Sequence, residues 1–210
     1  MRSNNIKNKR IVVIGGGTGS FMVLSALRNY PVSLSSIVSM ADDGGSTGRL
    51  RDQYGVLPPG DIRRALVALS DTNQTLRDLF NYRFTNGDFK EHNFGNIFLS
   101  ALEKITGSFG DAVSLASKIL NIKGKVLPVT LDSTTLYAQL TNNIVIKGET
   151  NIDIPKHNPE IPIKNVWLKP SAKINPEARR ALLEADMIVI GPGDLFTSII
   201  PNFLVKGVVA

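Results

Sequence analysis

The sequence predicts an α/β protein in which a doubly wound, mostly parallel sheet carries a small β-rich insert. Three observations predict it. Short β-rich apolar runs alternate with stretches of helical periodicity, the pattern of a parallel sheet with crossover helices. Gly-rich turns follow two of those runs: Gly15-Gly16-Gly17-Thr18-Gly19 comes after residues 11–14, and Gly191-Pro192-Gly193 after 187–190. From about 126 to 170 the pattern changes to closely spaced strands and prolines.

Residues 1–10 are basic and Asn-rich and are expected to be a flexible tail ahead of one domain spanning 11–210. The first strand, 11–14, leads through glycines into a helix with Phe21, Leu24 and Leu27 at helical spacing, ended by Asn29-Tyr30-Pro31. A second strand, 34–40, runs into Ala41-Asp42-Asp43-Gly44-Gly45-Ser46-Thr47-Gly48, read as a loop. After Pro58-Pro59-Gly60, Asp61 can cap a helix to Leu69, and 74–84 continues helically with Leu76, Leu79 and Phe80 inward. A second helical pair covers 96–105 and 109–120.

Strands are then expected at 126–130, 135–140 and 144–149, the last two joined near Asn142-Asn143 by a hairpin turn. Three prolines between 152 and 163 make that stretch a surface excursion or edge segment. The α/β pattern returns with 163–168, a helix capped by Asn175 with Pro176 as its first residue, and the strand 187–190.

Composition narrows the function classes. A chain of 210 residues, 42% hydrophobic, can bury a substantial core. Without cysteine it has no disulfide, no thiolate nucleophile and no Cys-ligated zinc, and it holds only two histidines. The net charge of +6 comes from Lys and Arg scattered among 18 acids, without the basic block that marks nucleic-acid binding. The apolar run at 11–14 is too short for a signal segment or a membrane span, so a cytoplasmic protein is the default.

The two Gly turns point to a phosphorylated ligand. Glycines let backbone N–H groups crowd around an anion, and a helix start adds about half a positive charge. Lying at the carboxyl ends of apolar strands from opposite ends of the chain, the turns are expected to converge on one crevice of the sheet. Asp42 and Asp43 follow the second strand, where dinucleotide folds place the acid that holds a ribose hydroxyl; a nucleoside hydroxyl, a Mg²⁺ ion and a simple turn before Gly44-Gly45 all suit them.

Arg49, Arg51, Arg63 and Arg64 suit a diphosphate, Arg49 first among them. Asn93 and Asn96 can cap the helix they open or hydrogen-bond a base or sugar, and His92 reads as a satisfied surface residue. Ser20 stands where a G-x-G-x-x-G/A dinucleotide fingerprint needs Gly or Ala, and Walker A, Gly-x-Ser-x-Gly and His-Glu-x-x-His motifs are missing.

Five blocks together resemble the YvcK branch of the CofD-like superfamily: Ile11-Val12-Val13-Ile14-Gly15-Gly16-Gly17-Thr18-Gly19; Ala41-Asp42-Asp43-Gly44-Gly45-Ser46-Thr47-Gly48-Arg49-Leu50-Arg51; Leu57-Pro58-Pro59-Gly60-Asp61-Ile62-Arg63; Asn93-Phe94-Gly95-Asn96; and Gly191-Pro192-Gly193-Asp194-Leu195-Phe196-Thr197-Ser198. The resemblance runs from Ile11 to the end and departs at Thr47, where Ser is more usual. It implies a Rossmann-like fold and a bacterial cytoplasmic protein that binds UDP-sugars. Members of that branch are called gluconeogenesis factors and are tied to carbon use, cell shape and wall synthesis, with no established catalysis. The sister branch, 2-phospho-L-lactate transferase, moves a phospholactyl group from a guanosine diphosphate derivative to a deazaflavin alcohol with Mg²⁺.

By matching positions, the resemblance implies that Gly16, Gly17, Thr18 and Gly19 hold the diphosphate. Asp42 and Asp43, with Gly45, Ser46 and Arg49 beside them, would meet the nucleoside sugar or a Mg²⁺ ion, which is a candidate cofactor and not a required one. Asn93 and Asn96 would face the nucleotide, and Gly191, Gly193, Leu195 and Thr197 the other wall. Because family members continue for about another hundred residues, the chain is expected to be truncated after Val208-Val209-Ala210, with further strands and part of the site missing and apolar edges favouring a homo-oligomer. A UDP-sugar sensor, a Mg²⁺-dependent transferase and a dinucleotide oxidoreductase are the readings to separate, in that order.

Overall fold

A computed structural model describes residues 7–209. The expected tail at 1–10 therefore lies largely outside the described residues, and its last member, Arg10, already opens the first strand. That strand, β1 (Arg10–Gly15), is buried after its first residue because both its faces are covered. Helix α1 (Gly17–Leu27) and strand β2 (Ser33–Val38) follow. Helices α2 (Gly45–Tyr54), α3 (Gly60–Leu69), α4 (Gln74–Asn81), α5 (Phe94–Thr106) and α6 (Phe109–Ile119) come before β3 (Lys125–Pro128). Next come β4 (Thr135–Leu140), β5 (Val145–Lys147), α7 (Glu149–Asp153) and β6 (Ile163–Lys169). Helix α8 (Pro176–Leu183), strand β7 (Met187–Ile190), a π-helical turn (Leu195–Ile199) and α9 (Ile200–Phe203) complete the chain.

The main sheet has the order β3-β2-β1-β7 and every pair in it is parallel, as the alternating pattern predicts. From β1 the chain goes to β2 and β3 on one side and returns to β7 on the other, so a topological switch point lies between β1 and β7 at their carboxyl ends. The core joins Val13, Ile14, Leu24, Ile37, Ile62, Leu66, Leu99 and Ala112. A separate antiparallel sheet, β5-β4-β6, forms the insert, with Asn143 in the left-handed region at the hairpin tip.

Several local expectations are corrected. Strand β3 pairs with β2 in the main sheet, whereas β6 pairs with β4, so the antiparallel unit begins at Thr135. Gly45 to Gly48, expected as loop, forms the first turn of α2. Helix α4 ends at Asn81 and leaves Leu79 exposed while Phe80 is buried. Asp61 makes no cap, because Pro59 occupies that position at the start of α3 and the Asp61 carboxylate turns elsewhere. Asn175 does cap α8, accepting from the Glu177 N–H at 3.0 Å.

Candidate functional site

The two Gly turns meet at the switch point. A Cβ on Gly19 would overlap the backbone carbonyl of Pro192, one on Gly15 would lie 3.8 Å from the Gly191 Cα, and one on Gly193 would lie 3.6 Å from the Gly16 carbonyl oxygen. At Gly19 the close approach of the two turns requires glycine, while at Gly15 and Gly193 the distances are those of ordinary packing between them. The start of α3 closes the same space: a Cβ on Gly16 would strike the Asp61 carboxylate, and one on Gly17 would sit 3.7 Å from Arg64 Nη1 and 3.8 Å from Ser198 Oγ. The start of α2 comes in beneath, since a Cβ on Gly60 would strike Asp42 Oδ2 and lie 2.5 Å from Thr47 Oγ1. The starts of α1, α2 and α3, each with its positive dipole end, therefore border one crevice.

Carboxylates line its floor. Asp42 is pushed above its usual range chiefly by burial, against hydrogen bonds from Gly44 and Thr47. Asp61 is raised to about 6 by burial and then by Asp42, with Arg64 at 3.3 Å pulling the other way. Glu149, brought in by the insert, is raised to about 8 by burial and by Asp42, Asp153, Asp43 and Asp61. A crevice floored by carboxylates would take a phosphate well only when protons or a cation neutralise the floor. Among the described residues, no group of three or more His, Asp or Glu side chains is placed to hold a metal ion by itself. A Mg²⁺ ion here would therefore need ligand oxygens as well, its usual coordination beside phosphates.

The remaining site expectations divide. Thr18 and Gly193 are exposed at the crevice mouth, Leu195 is exposed, and Gly191 is buried where its turn leaves β7. Thr197 turns inward, its hydroxyl donating to Asp194 Oδ1 at 2.8 Å, where it caps the π-helical turn. Asp43 serves the insert: its two carboxylate oxygens accept the Glu149 and Thr150 N–H groups at 3.1 and 2.9 Å and so cap α7. Gly45 faces open space at the start of α2, while Ser46 is buried, 3.2 Å from His92 Nδ1 and accepting from the Asn93 N–H.

Asn93 caps α5 by accepting from the Asn96 N–H, and Asn96 accepts from Arg63 Nε at 3.1 Å. Arg63 is buried, which lowers its pKa to about 10. Arg49 lies on the far side of α2, donating to the Lys90 carbonyl, so the arginine at the crevice is Arg64. His92, read as a surface residue, is buried and its pKa is lowered by burial, then by Arg49 and Arg83.

Arg64, one of the four arginines that suit a diphosphate, thus takes the place expected first of Arg49, whereas Asp61, Glu149 and Ser198 are crevice residues that sequence reasoning did not place there. Asp61, read only as a helix cap, stands in the Leu57-Pro58-Pro59-Gly60-Asp61-Ile62-Arg63 block and could have been found from it; Glu149 carries no local signal.

No helix among the described residues is long and apolar enough to cross a membrane. The family model described as 2-phospho-L-lactate transferase CofD matches residues 11–210. A gluconeogenesis factor of Bacillus subtilis is 46% identical over 199 residues, covering 93% of this chain and 61% of that protein. A gluconeogenesis factor of Halalkalibacterium halodurans is 45% identical over 205 residues, covering 97% and 62%. The crystal structure of a UPF0052-family protein from Bacillus halodurans superposes with a TM-score of 0.92 at 44% identity, covering 97% of this chain and 64% of that one. The curated relatives that the chain matches are longer, with coverages from 44% to 63% of their length.

Proposed function

The chain belongs to the CofD family and is similar throughout to gluconeogenesis factors, and from that premise we propose that it binds a nucleoside diphosphate sugar, a UDP-sugar first, and acts as a regulatory binding protein in carbon metabolism and wall synthesis in the cytoplasm. The observation that carries the reading is the contact between the turns after β1 and β7 beside three helix starts. The diphosphate lies over Gly16 to Gly19 and Gly193, with Thr18 and Ser198 donating hydroxyls and Arg64 closing the side. Asp42 sits where dinucleotide folds hold a ribose hydroxyl.

The carboxylate floor favours a second reading, a Mg²⁺-dependent transferase acting on a nucleoside diphosphate derivative. Asp42 and Asp61 would hold the ion together with ligand phosphates, and the ion would supply charge neutralisation at the transferred group. Asp43 is committed to α7 and is left out of that pair.

Calorimetric titration of UDP-N-acetylglucosamine into the chain, with and without Mg²⁺, tests both readings. Saturable binding without product, abolished by Asp42→Ala in a chain that still folds, is the expected result. Unchanged affinity in that variant sinks the site. Binding and turnover of a guanosine diphosphate derivative, with no UDP-sugar binding, moves the chain to the transferase reading.

A further inference from the structure

We propose that the cleft between α2 and α5 is a second small-molecule site, one that takes a planar aromatic anion. The cleft has a volume of about 420 Å³ and shares no lining residue with the crevice; that size suits a one- or two-ring ligand. Its lining combines apolar Leu50, Ile97 and Ala101 with the buried polar Ser100 and His92. Two aromatic rings stand at its edge with more than half their surface open, Tyr54 at 55% and Phe89 at 56%.

Phe89 is held in place. Its ring leans on Phe84 at 5.4 Å, Phe84 meets Tyr82 edge-on at 5.1 Å, and backbone bonds from Phe84 N–H to the His92 carbonyl and from Glu91 N–H to the Phe84 carbonyl close the loop that carries it. An aromatic wall that is exposed yet braced from behind is preorganised to stack on a flat ligand, which lowers the entropy lost on binding.

The charges choose the sign of that ligand. Lys104 lines the cleft and has no carboxylate partner among the described residues. Arg49 stands opposite on α2, its guanidinium held by the Lys90 carbonyl at 3.0 Å and 3.9 Å from Glu91. His92 stays neutral at physiological pH, since burial and the neighbouring Arg49 and Arg83 lower its pKa. Asp88 is the one acid of the lining, and Glu103 turns away to accept the Leu57 N–H at 3.1 Å. A flat ring held in the cleft against Tyr54 or Phe89 has Lys104 as the cation of the lining left to meet its acidic group.

The probe is 2-naphthoate, titrated calorimetrically into the chain beside its uncharged analogue 2-naphthamide. The expected result is one saturable site, with the amide about tenfold weaker for want of the charge-assisted contact. Ala101→Trp fills the cleft from an exposed helix position and abolishes binding while melting as the parent does. Lys104→Gln, also at an exposed position, weakens naphthoate about tenfold and leaves the amide unchanged, which keeps the test decisive should the tryptophan variant fail to fold. Equal binding of acid and amide, unchanged binding in both variants, or no saturable binding by the folded parent overturns the proposal.

Discussion

Around Asp61, three carboxyl groups share a space that burial keeps poor in water, and the consequence is a pH dependence of unusual sign. Folding raises Asp61 from 3.8 to about 6 and Glu149 from 4.5 to about 8. Between those values the folded chain holds protons that the unfolded chain has released, so these groups make stability fall as pH rises, through about 4 to 6 for Asp61 and about 4.5 to 8 for Glu149. Thermal melts across that range should show the decline. Asp61→Asn should flatten its lower part and Glu149→Gln its upper part, and identical slopes in parent and variants would refute the assignment. A steric prediction stands beside it. A methyl group on Gly19 overlaps the Pro192 carbonyl, which is backbone and cannot swing away, so Gly19→Ala should cost about 1–3 kcal/mol and lower the denaturation midpoint without changing the m value.

Helix α7 depends on a residue far from it in sequence, for Asp43 caps it across a separation of 106 residues. Asp43→Ala should destabilise by about 1–2 kcal/mol, the range for loss of a helix cap, and hydrogen exchange should speed up in the insert around 149–154 before it does in the main sheet. The same separation explains what the sequence could not disclose. The strand and turn positions, the Asn175 and Asn93 caps and the meeting of the two Gly turns follow from local pattern together with the rule for switch points, and all were legible. Asp43 reads as a ligand residue because its real partners lie in a segment without any motif. Helix α2 reads as loop because Gly44, Gly45 and Gly48 lower helix propensity, yet Gly48 is needed there since a Cβ would run into the Asp43 carbonyl oxygen. His92 is buried against Ser46, a partner 46 residues earlier that no local pattern discloses. Four-residue β3 shows its strand character in sequence but not its pairing with β2.

The parallel order β3-β2-β1-β7 puts segments from the two ends of the chain on either side of one opening, and the insert adds a third wall through Asp43 and Glu149. A ligand that only touched the start of α1 would stiffen one helix. One that spans the crevice ties together residues 16–19 after β1 and 193–198 after β7, so it binds the folded chain and has no counterpart in the unfolded one. Linkage then sets the size of the effect: at a hundred times its dissociation constant such a ligand adds about 2.7 kcal/mol of stability. For a chain of this size that raises the melting temperature by about 5–11 °C. Saturating UDP-N-acetylglucosamine should therefore raise the melting temperature by that amount and slow hydrogen exchange at both turns together. Protection confined to the β1 turn would mean that the β7 turn is packing for the first and not a wall of the site. A cation dependence of the shift, strong at pH 8 and weak at pH 5, would further separate neutralisation by Mg²⁺ from neutralisation by the protons that Asp61 and Glu149 take up.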